Sequence, residues 1–166
     1  MMEHGSKPVD GVVVSLKGNE GNPEEDLDQR LGEEARVAFR VRYAETDQMG
    51  FVHHSVYFTW FEAARTELFR RWGFPYTGLE EKGVYSPVVE CNAAYLAPAR
   101  YDEEIVVTAR LEGMSAAKLT FGYKVEREGD GELLATGQTV HAFINRQGKP
   151  RPIRKVLPGL WERLCR

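Results

Sequence analysis

A chain of 166 residues, 42% hydrophobic and 28% charged, is long enough for one compact domain with a sizeable core and too short for two ordinary ones. A net charge of −3 leaves no basic footprint for nucleic acid and no strong pull toward an acidic membrane surface. No run of about 18 apolar residues occurs, and the N-terminus lacks the basic and then apolar order of a secretory signal, so the expectation is no membrane span and a cytoplasmic location.

Met1 to Arg36 holds nine acidic residues against four basic ones, five glycines and no aromatic residue. Such a stretch cannot bury enough apolar surface to order itself. Residues 1–35 therefore read as a flexible tail ahead of a folded domain at 36–166, although Val12-Val13-Val14 could pair as a short strand. Val37, Phe39, Val41 and Tyr43 then alternate with Ala38, Arg40 and Arg42, the period of a strand with one buried face. A turn-rich segment from Glu45 to Gly50 follows.

Tyr57, Trp60, Phe61, Ala64, Leu68 and Trp72 next fall on one face of a helix, with limits near 55 and 72. His54-Ser55 supplies the expected N-cap, and Gly73 with Pro75 the stop. Phe58 and Phe69 flank this face, and so many bulky rings call for a concave partner such as a curved sheet. Glu62 and Arg65, three apart, read as an intrahelical ion pair.

The C-terminal half supplies strands. Val84 to Leu96 is one; Ile105, Val107, Ala109 and Leu111 alternate in the next, and Leu119, Phe121, Tyr123 and Val125 in a third. Gly129-Asp130-Gly131 is a hairpin signal leading to a fourth, near Leu133 to Asn145. The expectation is an α+β domain: one long central helix wrapped by a curved antiparallel sheet of about five strands, the last four in a meander. Cys91 and Cys165 read as free thiols, Cys91 as a small buried apolar residue.

Several mechanisms are removed by what is missing. The sequence has no Gly-x-Ser-x-Gly, no Walker phosphate loop, no Gly-x-Gly-x-x-Gly and no Cys-x-x-Cys. His53 and His54 would diverge and would need distant help such as His141 to hold a metal, so no metal and no cofactor is expected. What remains is Tyr43-Ala44-Glu45-Thr46-Asp47-Gln48-Met49-Gly50-Phe51-Val52-His53-His54, a polar turn with a carboxylate just before an aromatic helix. The first turn of a helix offers unpaired N–H groups and a partial positive charge suited to an oxyanion, and an ionised Asp47 could act as nucleophile or as base toward water.

Tyr43 with Thr46-Asp47, then Gly50, His54, Tyr57-Phe58 and Phe61-Glu62-Ala63-Ala64-Arg65, resembles the signature of the 4-hydroxybenzoyl-CoA thioesterase-like hotdog family, especially its YbgC-like acyl-CoA branch. Tyr95-Leu96-Ala97-Pro98-Ala99-Arg100-Tyr101-Asp102 agrees, and the resemblance covers about Arg36 to Asn145. It implies a hotdog fold that hydrolyses acyl-CoA, with Asp47 as catalytic carboxylate, an amide near His54 on the thioester oxygen, and two subunits building each site as a homodimer or homotetramer. Tyr43 and His54 carry over as supporting residues, and Gly50 and Val52, in the same motif, are expected to bind substrate; separately, Lys118, Lys124 and Arg127 could meet the phosphates of CoA, Lys118 being the candidate taken forward. Gln48-Met49 departs from the small residues common there, which bears on pocket shape.

Blander readings stand beside these. Asp47 could be a turn cap, His54 a solvent-facing ring, and Lys118, Lys124 and Arg127 the solvated face of a strand. A catalytic Glu62 is a minor alternative. At the level of function the rivals are a hotdog dehydratase and a non-catalytic acyl-CoA-binding module.

Overall fold

The computed structural model describes residues 12–14 and 33–165. Of the expected 1–35 tail, residues 1–11 and 15–32 lie outside the described residues, whereas Glu34 and Ala35 already belong to a strand and Ala35 is fully buried. Val12–Val14 forms a strand, β1, that pairs antiparallel with β2, Glu34–Arg40. The long helix α1 runs His54–Arg71, followed by short α2, Tyr76–Glu81. Strands β3 (Val88–Tyr95), β4 (Glu104–Met114), β5 (Lys118–Arg127) and β6 (Leu133–Ala142) come next. Two short helices, α3 (Ile153–Val156) and α4 (Pro158–Cys165), end the chain.

The sheet is antiparallel in the order β1-β2-β4-β5-β6-β3, and α1 packs across β2 and β4. This is the α+β hotdog arrangement, five main strands around one helix with β1 added at an edge. The expected four-strand meander is corrected in one place. β4, β5 and β6 are consecutive neighbours, but β3 crosses to the outer edge of β6, because β4 is already paired to β2. β3 also starts later than the expected Val84, at Val88, and Tyr85 makes only an isolated bridge to Ile144.

Alternation decides which side chains meet the helix. Val37 on β2, Val107 on β4, Val125 and Phe121 on β5 and Ala135 on β6 are essentially fully buried, and they close on Trp60, Phe61, Ala64, Leu68 and Phe69 of α1. Phe69, expected at the flank, is wholly buried. Phe61 stacks on Tyr123 with centroids 4.4 Å apart and lies over Gly137, where a Cβ would stand 2.4 Å from its ring. Glycine in β6 is therefore a packing requirement.

Two further expectations change. The N-cap of α1 is His53, whose Nδ1 accepts the Ser55 amide at 3.3 Å; a ring nitrogen here takes the place of the expected hydroxyl. Cys91 is exposed, because β3 is an edge strand whose residues are almost all exposed. Gly73 at φ +81 ends α1, with the Gly73 and Phe74 amides closing on Arg70 and Phe69 carbonyls.

Candidate active site

The Asp47 turn is fastened at its base. A 3₁₀ turn at Tyr43–Glu45 buries Glu45, whose carboxylate accepts the Arg42 amide at 2.8 Å and pairs with the Arg42 guanidinium at 3.0 Å. Thr46 and Val52 then form an antiparallel bridge, and the His53 amide donates to the Glu45 carbonyl at 2.8 Å. The chain thus folds back so that the start of α1 lies beside the residues that lead into Asp47.

Within the turn, the Asp47 amide donates to the Phe51 carbonyl at 2.8 Å and the Gly50 amide to the Asp47 carbonyl at 2.9 Å. Gly50 has φ +75, which a side chain would strain. Asp47 Oδ1 accepts the Met49 amide at 2.8 Å and the Phe51 amide at 3.4 Å. The bland reading of Asp47 as a turn cap is therefore correct for one oxygen, while Oδ2 has no partner among the described residues. The half-buried carboxylate is aimed by its turn and keeps one oxygen for other work.

The first turn of α1 is equally selective. The Ser55 amide is taken by His53 Nδ1 and the Val56 amide by the His53 carbonyl at 3.0 Å. Among the described residues the His54 amide alone of the three has no partner. That leaves the His54 amide open at the positive end of an 18-residue helix whose entry is bonded back to the residues leading into Asp47.

Tyr95, which sequence reasoning assigned no role, donates its hydroxyl to the His54 carbonyl at 3.0 Å and sets its ring edge-on against Tyr57. Arg100 lies over the Phe51 ring at 4.7 Å and approaches Gly50. Both residues lie in the second motif segment, so proximity to that segment was the available signal.

The other anticipated residues are placed unevenly. The His54 ring is exposed and packs on the His53 ring at 4.1 Å. Tyr43 gives its carbonyl to Thr46, but its ring is 78% exposed and turns edge-on to Tyr101. Val52 is buried, its amide donating to the Ala99 carbonyl. Lys118 stands at the start of β5, half-exposed, 4.0 Å from Glu90. Arg127 is committed to Glu103, Asp130 and Glu132.

A second polar group lies under α1. The expected Glu62–Arg65 ion pair does not form: Glu62 is exposed, whereas Arg65 is only 7% exposed and turns inward to two phenols. Its Nε donates to Tyr76 Oη at 3.0 Å and Nη1 to Tyr123 Oη at 3.2 Å. Tyr123 continues to Thr139 at 2.7 Å, Thr139 to His141 Nε2 at 2.9 Å, and His141 Nδ1 to the Ser86 carbonyl at 3.2 Å. Burial pushes the Tyr76 hydroxyl up to about 12 and raises Tyr123 as well. Burial, reinforced by the charge of Arg65, pushes His141 down to about 4. His141 is thus a neutral core residue, and among the described residues no group of three His, Cys, Asp or Glu side chains could hold a metal.

Comparison with known proteins follows this geometry. Residues 41–159 match the thioesterase-like superfamily. A candidate acyl-CoA thioesterase of Bacillus subtilis, YneP, is 41% identical over 125 residues, covering 75% of this chain and 90% of that protein. The acyl-CoA thioester hydrolase YbgC of Escherichia coli is 33% identical over 74% of this chain and 91% of its own. Among solved structures, a DHNA-CoA thioesterase from Staphylococcus aureus superimposes with a TM-score of 0.76 at 34% identity, covering 78% of this chain and 87% of that one.

Proposed function

The chain belongs to the thioesterase-like superfamily, and we propose that it is an acyl-CoA thioesterase in which Asp47 and the start of α1 carry the reaction. Water and an acyl-CoA give a free carboxylic acid and CoA. The observation that carries this reading is a pair of unfilled valences: the free Oδ2 of Asp47, inside the loop closed by the Thr46–Val52 bridge, and the unpartnered His54 amide two residues beyond that bridge.

The amide would receive the thioester oxygen, stabilising negative charge as the carbonyl carbon becomes tetrahedral. Asp47 either attacks that carbon, forming an acyl anhydride that water opens, or takes a proton from the attacking water. The thiolate leaves without strong acid help, since thiols ionise more readily than alcohols. Gly50 lets the turn approach the substrate closely, and the His54 ring stands at the mouth, where it can order water or pantetheine.

The site is proposed to be completed in a homodimer. β3 is an unpaired edge whose residues are almost all exposed, Val88 and Val89 at close to half, and such an edge favours pairing with a second chain. Antiparallel self-pairing would bring the Val88 end of one β3 toward the Tyr95 end of the other, where Tyr95 holds the His54 carbonyl. The same exposed side chains would then be covered. Lys118 is proposed to meet a CoA phosphate from the rim.

The test is thiol release from acyl-CoAs ranging from acetyl through palmitoyl to benzoyl types, for wild type and Asp47→Ala. Turnover by wild type with a loss of about a hundredfold or more in the variant is expected. Double-bond formation without thiol release would make the protein a dehydratase. Binding without any turnover would make it an acyl-CoA carrier.

A further inference from the structure

The segment after β3 is fastened to the sheet on one side and touches the Asp47 turn on the other. Arg127, at the end of β5, donates to the Pro98 carbonyl at 3.2 Å and meets Glu103 Oε1 at 3.3 Å, while Glu103 Oε2 accepts the Arg100 amide at 2.9 Å. Ala99, wholly buried, accepts the Val52 amide at 2.9 Å. Arg100 therefore meets the turn from a fixed base.

Arg100 differs from the arginines around it in what its side chain meets. Arg40 is held by Asp102 and Glu104, Arg42 by Glu45, and Arg127 by Glu103, Asp130 and Glu132. Among the described residues no carboxylate pairs with the Arg100 guanidinium, since Glu103 has one oxygen on the Arg100 amide and the other on Arg127. The guanidinium lies instead on the Phe51 ring, 4.7 Å from its centroid, with Nη1 4.0 Å from where a Cβ on Gly50 would stand. The ring face attracts the cation.

Phe51 is the residue through which that contact reaches Asp47. Its carbonyl accepts the Asp47 amide at 2.8 Å, and its own amide reaches Asp47 Oδ1 at 3.4 Å, a long bond beside the 2.8 Å one from Met49. Oδ1 thus has one firm anchor and one loose one, and the direction of the free Oδ2 follows where Phe51 sits. Met49 is 69% exposed and Gly50 has no side chain, so neither pins the tip of the turn. The Phe51 ring is the handle that remains.

We propose that Arg100 is a positioning residue for the reaction: by holding the Phe51 ring it fixes the direction of the Asp47 carboxylate. The inference rests on the thioesterase reading of the Asp47 turn. A displacement of about 1 Å in a reacting group can cost on the order of a hundredfold in rate, so a contact of little weight in folding can still control turnover. An arginine resting on a ring for stability alone would leave kcat untouched.

The test is steady-state turnover of the most rapidly hydrolysed acyl-CoA by Arg100→Ala, with urea unfolding as the check on the fold. kcat should fall about tenfold, with KM nearly unchanged and the urea midpoint close to wild type. Arg100→Lys keeps a cation over the ring and should recover part of the loss, whereas the uncharged Arg100→Met should recover little. Phe51→Leu should lower kcat similarly, and the double variant with Arg100→Ala should be no slower than the slower single one, because both act along one path. A wild-type kcat in Arg100→Ala overturns the proposal, as do losses that multiply in the double variant. So does a raised KM with kcat kept, or weaker acyl-CoA binding by calorimetry when Arg100→Ala is added to Asp47→Asn; either would make Arg100 a cation that binds the CoA phosphates. Thioester turnover that is equal in wild type and variant leaves the thioesterase reading standing and removes this inference alone; no turnover by wild type removes both.

Discussion

The Asp47 turn and the Arg65 cluster are both polar, yet they are assembled in opposite ways. Every hydrogen bond that shapes the turn between Arg42 and Val56 closes within eight residues, apart from the Val52 amide on Ala99 and the Tyr95 hydroxyl on His54. Arg65 is held by hydroxyls 11 and 58 residues away, and Tyr123, Thr139 and His141 reach it from two neighbouring strands. The turn is partly exposed and leaves valences open, which suits chemistry. The cluster is buried and bonded across several elements, which suits stability. Substitutions should separate the two regions: those in the turn should change rate more than stability, and those in the cluster the reverse.

The largest effect should come from Asp47→Ala. Loss of a principal catalytic group costs roughly 3 to 4 kcal/mol of barrier, a drop in kcat of a hundredfold to a thousandfold. Because Asp47 contributes only its Oδ1 cap to the turn, unfolding in urea should differ from wild type by about 1 kcal/mol at most. A variant that lost several kcal/mol of stability together with its activity would erase the contrast between the two regions.

Acid is the corresponding probe of the cluster. Burial holds His141 down to about 4 in the folded protein, while an unfolded chain takes up the proton near 6.5. Between those values the unfolded state binds more protons, so stability falls as pH drops from 6.5 toward 4 and this contribution levels off below. At roughly 1.4 kcal/mol for each pH unit, the loss is about 3 kcal/mol. Urea unfolding across this range, compared with His141→Gln, isolates the effect: the variant should show a flatter profile. Equal slopes would mean that His141 accepts its proton in the fold.

Tyr123→Phe should be smaller. It removes one hydroxyl that serves both Arg65 and Thr139 while keeping the ring stacked on Phe61, so about 2 kcal/mol of stability should go. Activity on a short acyl-CoA should change much less than in Asp47→Ala.

The same contrast explains what the sequence could and could not disclose. Strand alternation and the stripe at Tyr57, Trp60, Phe61, Ala64 and Leu68 are local periodicities, so the helix and its concave sheet were legible. The Asp47 turn was legible because its residues are contiguous. Arg65 was not: the i,i+3 rule paired it with Glu62, although its place on the stripe between Phe61 and Phe69 was a signal that it points inward. The placement of β3 was hidden for a similar reason, since which sheet edge is open depends on β2 pairing with β4, a contact about 70 residues apart in the chain. Cys91 was misjudged with it, because an apolar neighbourhood in sequence does not tell an edge strand from a central one.

His53 gives the finest division between rate and stability, since it lies where the turn meets the helix. As N-cap it accepts the Ser55 amide, and that occupation leaves His54 as the unpartnered donor of the first turn. His53→Ala should cost about 1 kcal/mol of stability, as for other lost N-caps. It should also leave two adjacent amides open, so that the thioester oxygen is no longer directed to one of them. The expected kinetic result is a kcat several-fold lower with KM nearly unchanged, because the disturbed contact forms as charge develops on the oxygen. His53→Asn, which caps through a side-chain oxygen, should recover both stability and kcat. Recovery of stability without recovery of kcat would place the imidazole itself in the reaction and shift the catalytic centre from the Asp47 turn toward the paired histidines.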